Sequence, residues 1–386
     1  MWNMHSSHRA VYLDHAATSI VDLRVTGLVM QMMTEAFGNA GSRTHEFGLT
    51  ALRHVNLARD RVAAAVGAQP DEVTFTAGAT ESDNIAILGL AQNGTETGRH
   101  HVVSTTIEHK AVLEPLAMLE ARGFEVTRVA PDRSGHVAAA DVIAAVRSDT
   151  LLVSVMHANN ETGAVQPIAG IADRLAPDGP YLHVDAAQTL GRLTATLRNR
   201  RIDLISLSAH KAFGPKGVGA LVARRRAMRR PPLVPLMVGG GQERGLRPGT
   251  LPVPLVAGFG LAAELAAKEE SARTAACEAI RREALAALAR LNPVVHGDGP
   301  LGVLPNILSV AFPGVDSEAV MVALKGLAAI SNGSACTSSS YEPSHVLTAM
   351  GLDADEVAGT VRMSWSHATG AVDWAGIANR IDDLRV

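Results

Sequence analysis

Between residues 71 and 223 short apolar runs alternate with longer stretches of helical spacing. The runs are EVTFT, HVVST, EVTRVA, LLVSVMHAN, YLHVDAA, DLISLSA and GALVA. Each is brief and rich in Val, Leu or Ile, as a strand covered on both faces should be. Between them ESDNIAILGLAQ, KAVLEPLAMLEARG and AADVIAAVRS read as helices, each about one crossover long. Strands alternating with crossover helices predict an α/β fold with a mostly parallel central sheet. After VARRRAMRRPPLVP the pattern changes to the Gly-rich GGGQERGLRPGT, then long Ala/Leu/Glu helices, an isolated strand-like NILSVAF and a C-terminal helix. That change predicts a large domain over 16–255 and a smaller α+β domain formed by 1–15 and 256–386.

The chain has 386 residues, 47% of them hydrophobic but only 3% aromatic, with 35 glycines. This suits a tightly packed α/β enzyme better than an all-β sandwich and excludes disorder as the main state. With 35 basic against 38 acidic residues there is no global field for nucleic acid. The run Arg224, Arg225, Arg226, Arg229 and Arg230 lacks interleaved aromatics and reads as a solvated face or subunit-edge charge. Neither a long apolar span nor a signal-peptide pattern after MWNMHSSHRAVYLD is present, so a cytoplasmic protein that does not touch membrane is expected. The two cysteines cannot build a disulfide framework or complete a zinc site alone, and no metal site is expected. Cys277 lies in a helical segment and reads as packing; Cys336, in SNGSACTSSSYEP, has no packing periodicity and could reach a ligand.

Chemistry concentrates at three strand ends. TFTAGATESDNIAI closes a strand with small residues and opens a helix, so amides near Gly78, Ala79 and Thr80 can approach an anion at the positive end of the helix dipole. YLHVDAAQT ends a strand on Asp185, followed by Gln188, in the crevice where parallel sheets bind ligands. DLISLSAHKAFGPKGVG ends the next strand on Ser208, His210 and Lys211, one crossover beyond Asp185. Only five of the 35 basic residues are lysines, and arginine cannot form an imine, which gives a chemical reason for lysine at 211. Lys110, after the histidine of TIEHKAV, begins a helix and is the weaker rival. An anion cradle, a strand-end aspartate and a strand-end lysine are the parts that hold pyridoxal phosphate, its phosphate in the cradle, its ring nitrogen on the carboxylate and its aldehyde on the amine.

With these motifs in view, the chain resembles the cysteine desulfurases of the class-V aminotransferase group, fold-type I pyridoxal-phosphate enzymes, in their NifS-like and IscS-like branch. Matching runs extend from YLDHAAT through TAGATESDN, TIEHKAV, VSVMHANNETGAVQ, HVDAAQTLGR, LSAHKAFGPKGVGAL, GGGQERGLRPGT and LPNILSVAF to SNGSACTSSSYEPSHVL and VRMSW. The resemblance implies Lys211 as the Schiff-base lysine. It also implies Ala79, Thr80, Ser208 and His210 around the phosphate, joined by Thr250 from the second subunit of a homodimer. Asp185 would face the ring nitrogen, Gln188 and Asn160 the ring hydroxyl, and His109 would stack on the ring and move protons. Arg362 would bind the substrate carboxylate, with Asn160 sharing that task and Asn39 and His45 near the site. Cys336, on a mobile loop over about 331–342, would take sulfur from L-cysteine as a persulfide, releasing L-alanine, and pass it to an acceptor protein.

FGNAGS, RPGT and Asn332 depart from the commonest pattern, and the sequence ends on IDDLRV. The SNGSACTS and SYEPSHVL version resembles the desulfurase of bacterial DNA phosphorothioation systems, where the acceptor would be a protein and not DNA. The alternatives are sulfur supply for iron–sulfur clusters or tRNA thiolation. An aminotransferase or selenocysteine-type lyase would share the cofactor site without needing Cys336.

Overall fold

The computed structural model describes residues 10–332 and 343–385. Its strands are β1 (Val11–Tyr12), β2 (Val73–Thr76), β3 (His101–Thr105), β4 (Glu125–Val129), β5 (Thr150–Met156), β6 (Tyr181–Asp185), β7 (Leu204–Ser208), β8 (Gly219–Ala223), β9 (Val294–His296), β10 (Ile307–Ala311), β11 (Ala328–Ala329) and β12 (Thr360–Ser364). Seven form one sheet in the order β2-β8-β7-β6-β5-β3-β4. Strand β8 runs antiparallel to both neighbours, and the remaining pairs are parallel. Every residue of β3, β5 and β7 is buried, as the unbroken apolar runs require of strands covered on both faces. The expected fold class, a mostly parallel sheet flanked by helices, is what forms.

The segment NILSVAF is not isolated: β10 is the centre of an antiparallel sheet ordered β12-β10-β9. Its partners escape a reading by runs because β9 has three residues and β12 gains its identity from pairing Ser309 with Arg362 across more than fifty positions of chain. The several helices expected next are one helix, Val253–Leu288, 36 residues long. Val253, Val256, Phe259, Ala263 and Ala266 of that helix pack into the core beneath the large sheet, while Cys277, Ala284 and Leu288 pack with β10 and β12. On these two cores we propose the two-domain division, with the passage from one to the other inside this helix. Gly260 lets it approach the helix Glu46–Val66, since a Cβ there would lie 2.4 Å from Ala58 Cα. No helix among the described residues is long and apolar enough to cross a membrane.

The basic run is only in part the solvated face expected: Arg229 and Arg230 are exposed, Arg225 and Arg226 half-buried, and Arg224 is turned inward. Arg224 is 1% exposed and donates to the carbonyls of Val66, Leu197, Asn199 and Ile202. Arg226 forks onto Asp203 and lies over the Tyr181 ring, while Arg225 and Arg230 meet Asp71. These guanidiniums tie loop carbonyls to the sheet edge, a role that the planar donor fork suits.

Candidate active site

Three adjacent parallel strands, β5, β6 and β7, end on Met156, Asp185 and Ser208, and all three residues line one cavity of about 830 Å³. Parallel sheets place ligands at this edge because the crossover connections diverge there. The helix Ala79–Leu88 starts at the same edge, directly after β2. Its N-terminal Gly78 supplies no side-chain cap, and the Glu81 carboxylate takes the Ala77 N–H. Gly78 also lies against Gly219, where an added Cβ would come within 2.6 Å of the Gly78 Cα. The cavity wall gathers Ala79, Thr80, His109, Asn160, Asp185, Gln188, Ser208, His210 and Lys211, nine of the residues expected from the sequence.

Each is held by local structure. Asp185 Oδ1 accepts the Ala187 N–H at 2.9 Å, which fixes the carboxyl at the strand end. Gln188 donates from Nε2 to the Ala16 carbonyl at 2.9 Å, and its buried Oε1 has no hydrogen-bond donor among the described residues. Arg192 bridges the two strand ends, donating to the Gln188 carbonyl at 2.8 Å and to the Lys211 carbonyl at 3.1 Å. His210 Nδ1 meets Thr18 Oγ1 at 3.1 Å, and burial with the nearby lysines drops its pKa to about 4, so the ring is neutral. His109 caps the helix Lys110–Glu120 by accepting the Ala111 N–H on Nδ1 at 3.1 Å. Burial and the nearby Lys211 lower its pKa, and only Nε2 of this ring is available to the cavity.

Arg362, on β12, is buried beside the cavity. It donates from Nη1 to the Asn160 carbonyl at 2.9 Å and from Nη2 to Asp14 Oδ1 at 2.8 Å, leaving Nε without a partner among the described residues. Asn39 and Thr250 are not in this cavity. They line a second one of about 570 Å³ with Arg43, Arg59 and Gln242, and both are exposed. His45 is also exposed and caps the helix Glu46–Val66 through Nδ1. Cys336 lies outside the described residues, but both flanks of its segment meet the site. Ser331 exchanges backbone hydrogen bonds with Arg362. On the other flank Ser344 donates to Glu161 at 2.5 Å, and His345 Nε2 donates to the Glu108 carbonyl at 2.9 Å.

Sequence reasoning missed Asp83, Glu108, Asp14 and Glu161. Asp83 and Glu108 are fully buried. Glu108 Oε1 accepts from Thr105 and from the Met156 N–H, and burial raises its pKa to about 8. The signal for both was a carboxylate inside an otherwise quoted motif, TESDN and IEHK, but nothing in those motifs marks the direction of the side chain. Cys277, by contrast, is buried as expected, and desolvation lifts its thiol to about 11, which leaves it inert.

The parts fit pyridoxal phosphate. Gln188 Oε1 is a buried acceptor short of a donor, which a ring hydroxyl supplies, and an uncapped helix start provides amides for a dianion. Among known proteins, the aminotransferase class-V profile matches residues 11–373. Cysteine desulfurase IscS of Escherichia coli O139:H28 is 45% identical over 362 residues, covering 93% of this chain and 88% of that protein. The crystal structure of DndA from Streptomyces lividans matches with TM-score 0.81 and 50% identity over 92% of this chain and 99% of that one. SspA in complex with cysteine matches with TM-score 0.80 and 36% identity over 92% and 98%. The chain therefore belongs to the class-V aminotransferase family, among its NifS/IscS-like cysteine desulfurases.

Proposed function

We propose that the protein uses pyridoxal phosphate to convert L-cysteine to L-alanine and carries the released sulfur on Cys336 as a persulfide for an acceptor protein. The observation that carries this reading is the convergence of Asp185, Gln188, His109 and Lys211 on one cavity, while the flanks of the Cys336 segment hydrogen-bond Arg362, which holds the Asn160 carbonyl of the cavity wall, and Glu108, next to His109. Asp185 would hold the ring nitrogen, Lys211 the aldehyde carbon, and Ala79, Thr80, Ser208 and His210 the phosphate. Bound in this way, the cofactor supplies an electron sink for the substrate α-carbon.

The chain's own residues do the rest. Arg362 offers its remaining donors to the substrate carboxylate, held in aim by Asp14 and the Asn160 carbonyl. Lys211 Nζ takes the α-proton, and His109, with Nδ1 committed to its helix cap, exchanges protons through Nε2. The Cys336 thiolate attacks the substrate sulfur. An S–S bond forms as the C–S bond breaks, and the alanine carbon is then protonated.

The separate placement of Asn39 and Thr250 supports a homodimer in which the second subunit brings Thr250 to the phosphate and Asn39 to the substrate. Leu23, Met30, Met33, Phe37 and Phe47 are large apolar side chains exposed in the single chain, which a second subunit would cover. The kinship with DndA supports a DNA phosphorothioation route for the sulfur, with delivery to a protein of that route, in the cytoplasm.

Single-turnover reaction with L-cysteine tests the function. Stoichiometric alanine with one sulfur added to Cys336 by mass spectrometry, both lost in Cys336→Ser, is the expected result. Undiminished alanine from Cys336→Ser would make the protein a lyase that does not use this cysteine. A pull-down that recovers only an iron–sulfur scaffold would refute the phosphorothioation route.

A further inference from the structure

Asp83 is a cavity-wall carboxyl with no task in the chemistry above. It sits in the helix Ala79–Leu88, is wholly shielded from solvent, and among the described residues neither of its oxygens has a well-formed hydrogen bond, the Ser206 hydroxyl being a nearby donor. An ionised carboxylate so placed would cost several kcal/mol without a cation or donors to offset it. The groups facing it are Asp185 and His183 from β6, Ser206 from β7, Lys211 from the following turn, and Glu108 from the end of β3.

His183 does not serve as the cation. Its Nε2 is 3.5 Å from Asp83 Oδ1, but the ring is spoken for by Ser154 on Nδ1 at 2.8 Å and by Ser206 on Nε2 at 3.0 Å. Burial lowers its pKa to about 4. Asp185 adds a like charge beside it, which further disfavours the Asp83 anion. The cofactor-free site thus favours a proton on Asp83, which is buried and poorly hydrogen-bonded, while the Asp185 carboxyl accepts the Ala187 N–H.

We propose that Asp83 is the proton store of the cofactor site, carrying a proton in the cofactor-free protein and yielding it as the ring nitrogen opposite Asp185 becomes protonated. The Asp83 O–H bond breaks, a ring N–H bond forms, and no electrons are exchanged. The resulting carboxylate then has a cationic ring and Lys211 as neighbours in place of a lone anion. Asp83 is a positioning residue here, acting through the charge that it places beside Asp185. The inference rests on the proposed binding of pyridoxal phosphate.

Calorimetric titration of cofactor-free protein with pyridoxal phosphate, in buffers of differing ionisation enthalpy, counts the protons drawn from solution. Asp83→Asn keeps the shape but removes the store, so it should draw about one more proton per cofactor than the wild type at the same pH. Equal counts overturn the proposal. Failure of the wild type to bind the cofactor would instead remove the functional reading, and the inference with it. If Asp83→Asn does not fold, infrared difference spectra of wild type carrying isotope-labelled aspartate decide the matter. A protonated aspartate band lost on loading supports the store, and a band that persists refutes it.

Discussion

Arg362 Nη2 donates to Asp14 Oδ1 at 2.8 Å, joining β12 to the segment after β1 across almost the whole length of the chain. Asp14 fixes one edge of the guanidinium and the Asn160 carbonyl another, so the fork has a set direction before any substrate arrives. Asp14→Ala should raise KM for cysteine about tenfold, ~1.4 kcal/mol, with kcat little changed. Asp14→Asn, which keeps an acceptor for Nη2, should recover most of the loss. Steady-state kinetics decides: a lower KM in Asp14→Ala would mean that Asp14 competes with the substrate for Arg362 and does not aim it.

Glu108 gives the site a pH-dependent cost. Its folded pKa, about 8, lies above the ordinary 4.5 because burial disfavours the anion. A raised carboxyl pKa leaves the fold most favoured below pH 4.5 and takes stability away as pH rises toward 8, since the unfolded chain releases the proton first. Glu108→Gln retains an acceptor oxygen for Thr105 and the Met156 N–H without that release. The variant should gain stability relative to wild type on going from pH 5 to pH 8, by a few kcal/mol in urea unfolding. A constant difference across that interval would show that Glu108 is ionised in the fold.

What the sequence revealed and what it hid follow from the same physics. Asp185, Ser208 and Lys211 were legible because apolar runs stop abruptly at polar residues, and a parallel sheet exposes only those ends to ligand. Asp83 was not, because its helix buries Ser82, Asp83, Ile85, Ala86 and Ile87 together, so no periodic polar face separates a catalytic-site carboxyl from a solvated one. Arg362 came from its motif alone; its setting depends on pairing with Ser309 and Ser331, which no local pattern encodes. Arg224 and Arg229 are chemically identical in the sequence, and only the path of the chain makes the first a buried clamp and the second an exposed charge.

Arg224 therefore should behave as a core residue. Its two terminal nitrogens serve four carbonyls between 2.5 and 3.2 Å away. Arg224→Met fills similar volume but leaves those acceptors dry, and should destabilise the fold by about 3 kcal/mol. Denaturant titration checks this against Arg229→Met, expected within about 0.5 kcal/mol of wild type. Similar losses in the two variants would return the run to an ordinary charged surface.

The exposed apolar residues predict how the proposed homodimer would close. Met33 is 56% exposed and Phe37 65%, and the Phe37 ring lies tilted against that of Phe47, itself exposed, with centroids 5.5 Å apart. Phe37→Asp puts a charge in that surface and should yield a monomer by sedimentation velocity. If the second subunit delivers Thr250, the monomer should also bind pyridoxal phosphate more weakly, about tenfold for one lost phosphate contact. A monomer with unimpaired affinity would place Thr250 outside the cofactor site.

The last prediction concerns the foot of the Cys336 segment. Ser344 Oγ donates to the buried Glu161 carboxyl at 2.5 Å and accepts the Leu347 N–H at 3.1 Å, so one hydroxyl both caps the short helix His345–Ala349 and ties it to the turn beside Asn160. Burial raises the Glu161 pKa, opposed by Ser344, His345 and Arg362, so losing the hydroxyl removes one of the few contacts that favour its anion. Ser344→Ala should slow persulfide formation on Cys336 about tenfold, since displacing a reacting group by a fraction of an ångström is enough for such a loss. Binding of cysteine, read from the absorbance change on mixing, should stay as in wild type, because Arg362 is held by Asp14 and the Asn160 carbonyl and not by Ser344. Ser344→Thr restores the hydroxyl and should restore the rate. Equal slowing of binding and persulfide formation would mean that the substitution disturbs the cavity itself, and an unchanged rate would show that sulfur transfer does not depend on this anchor.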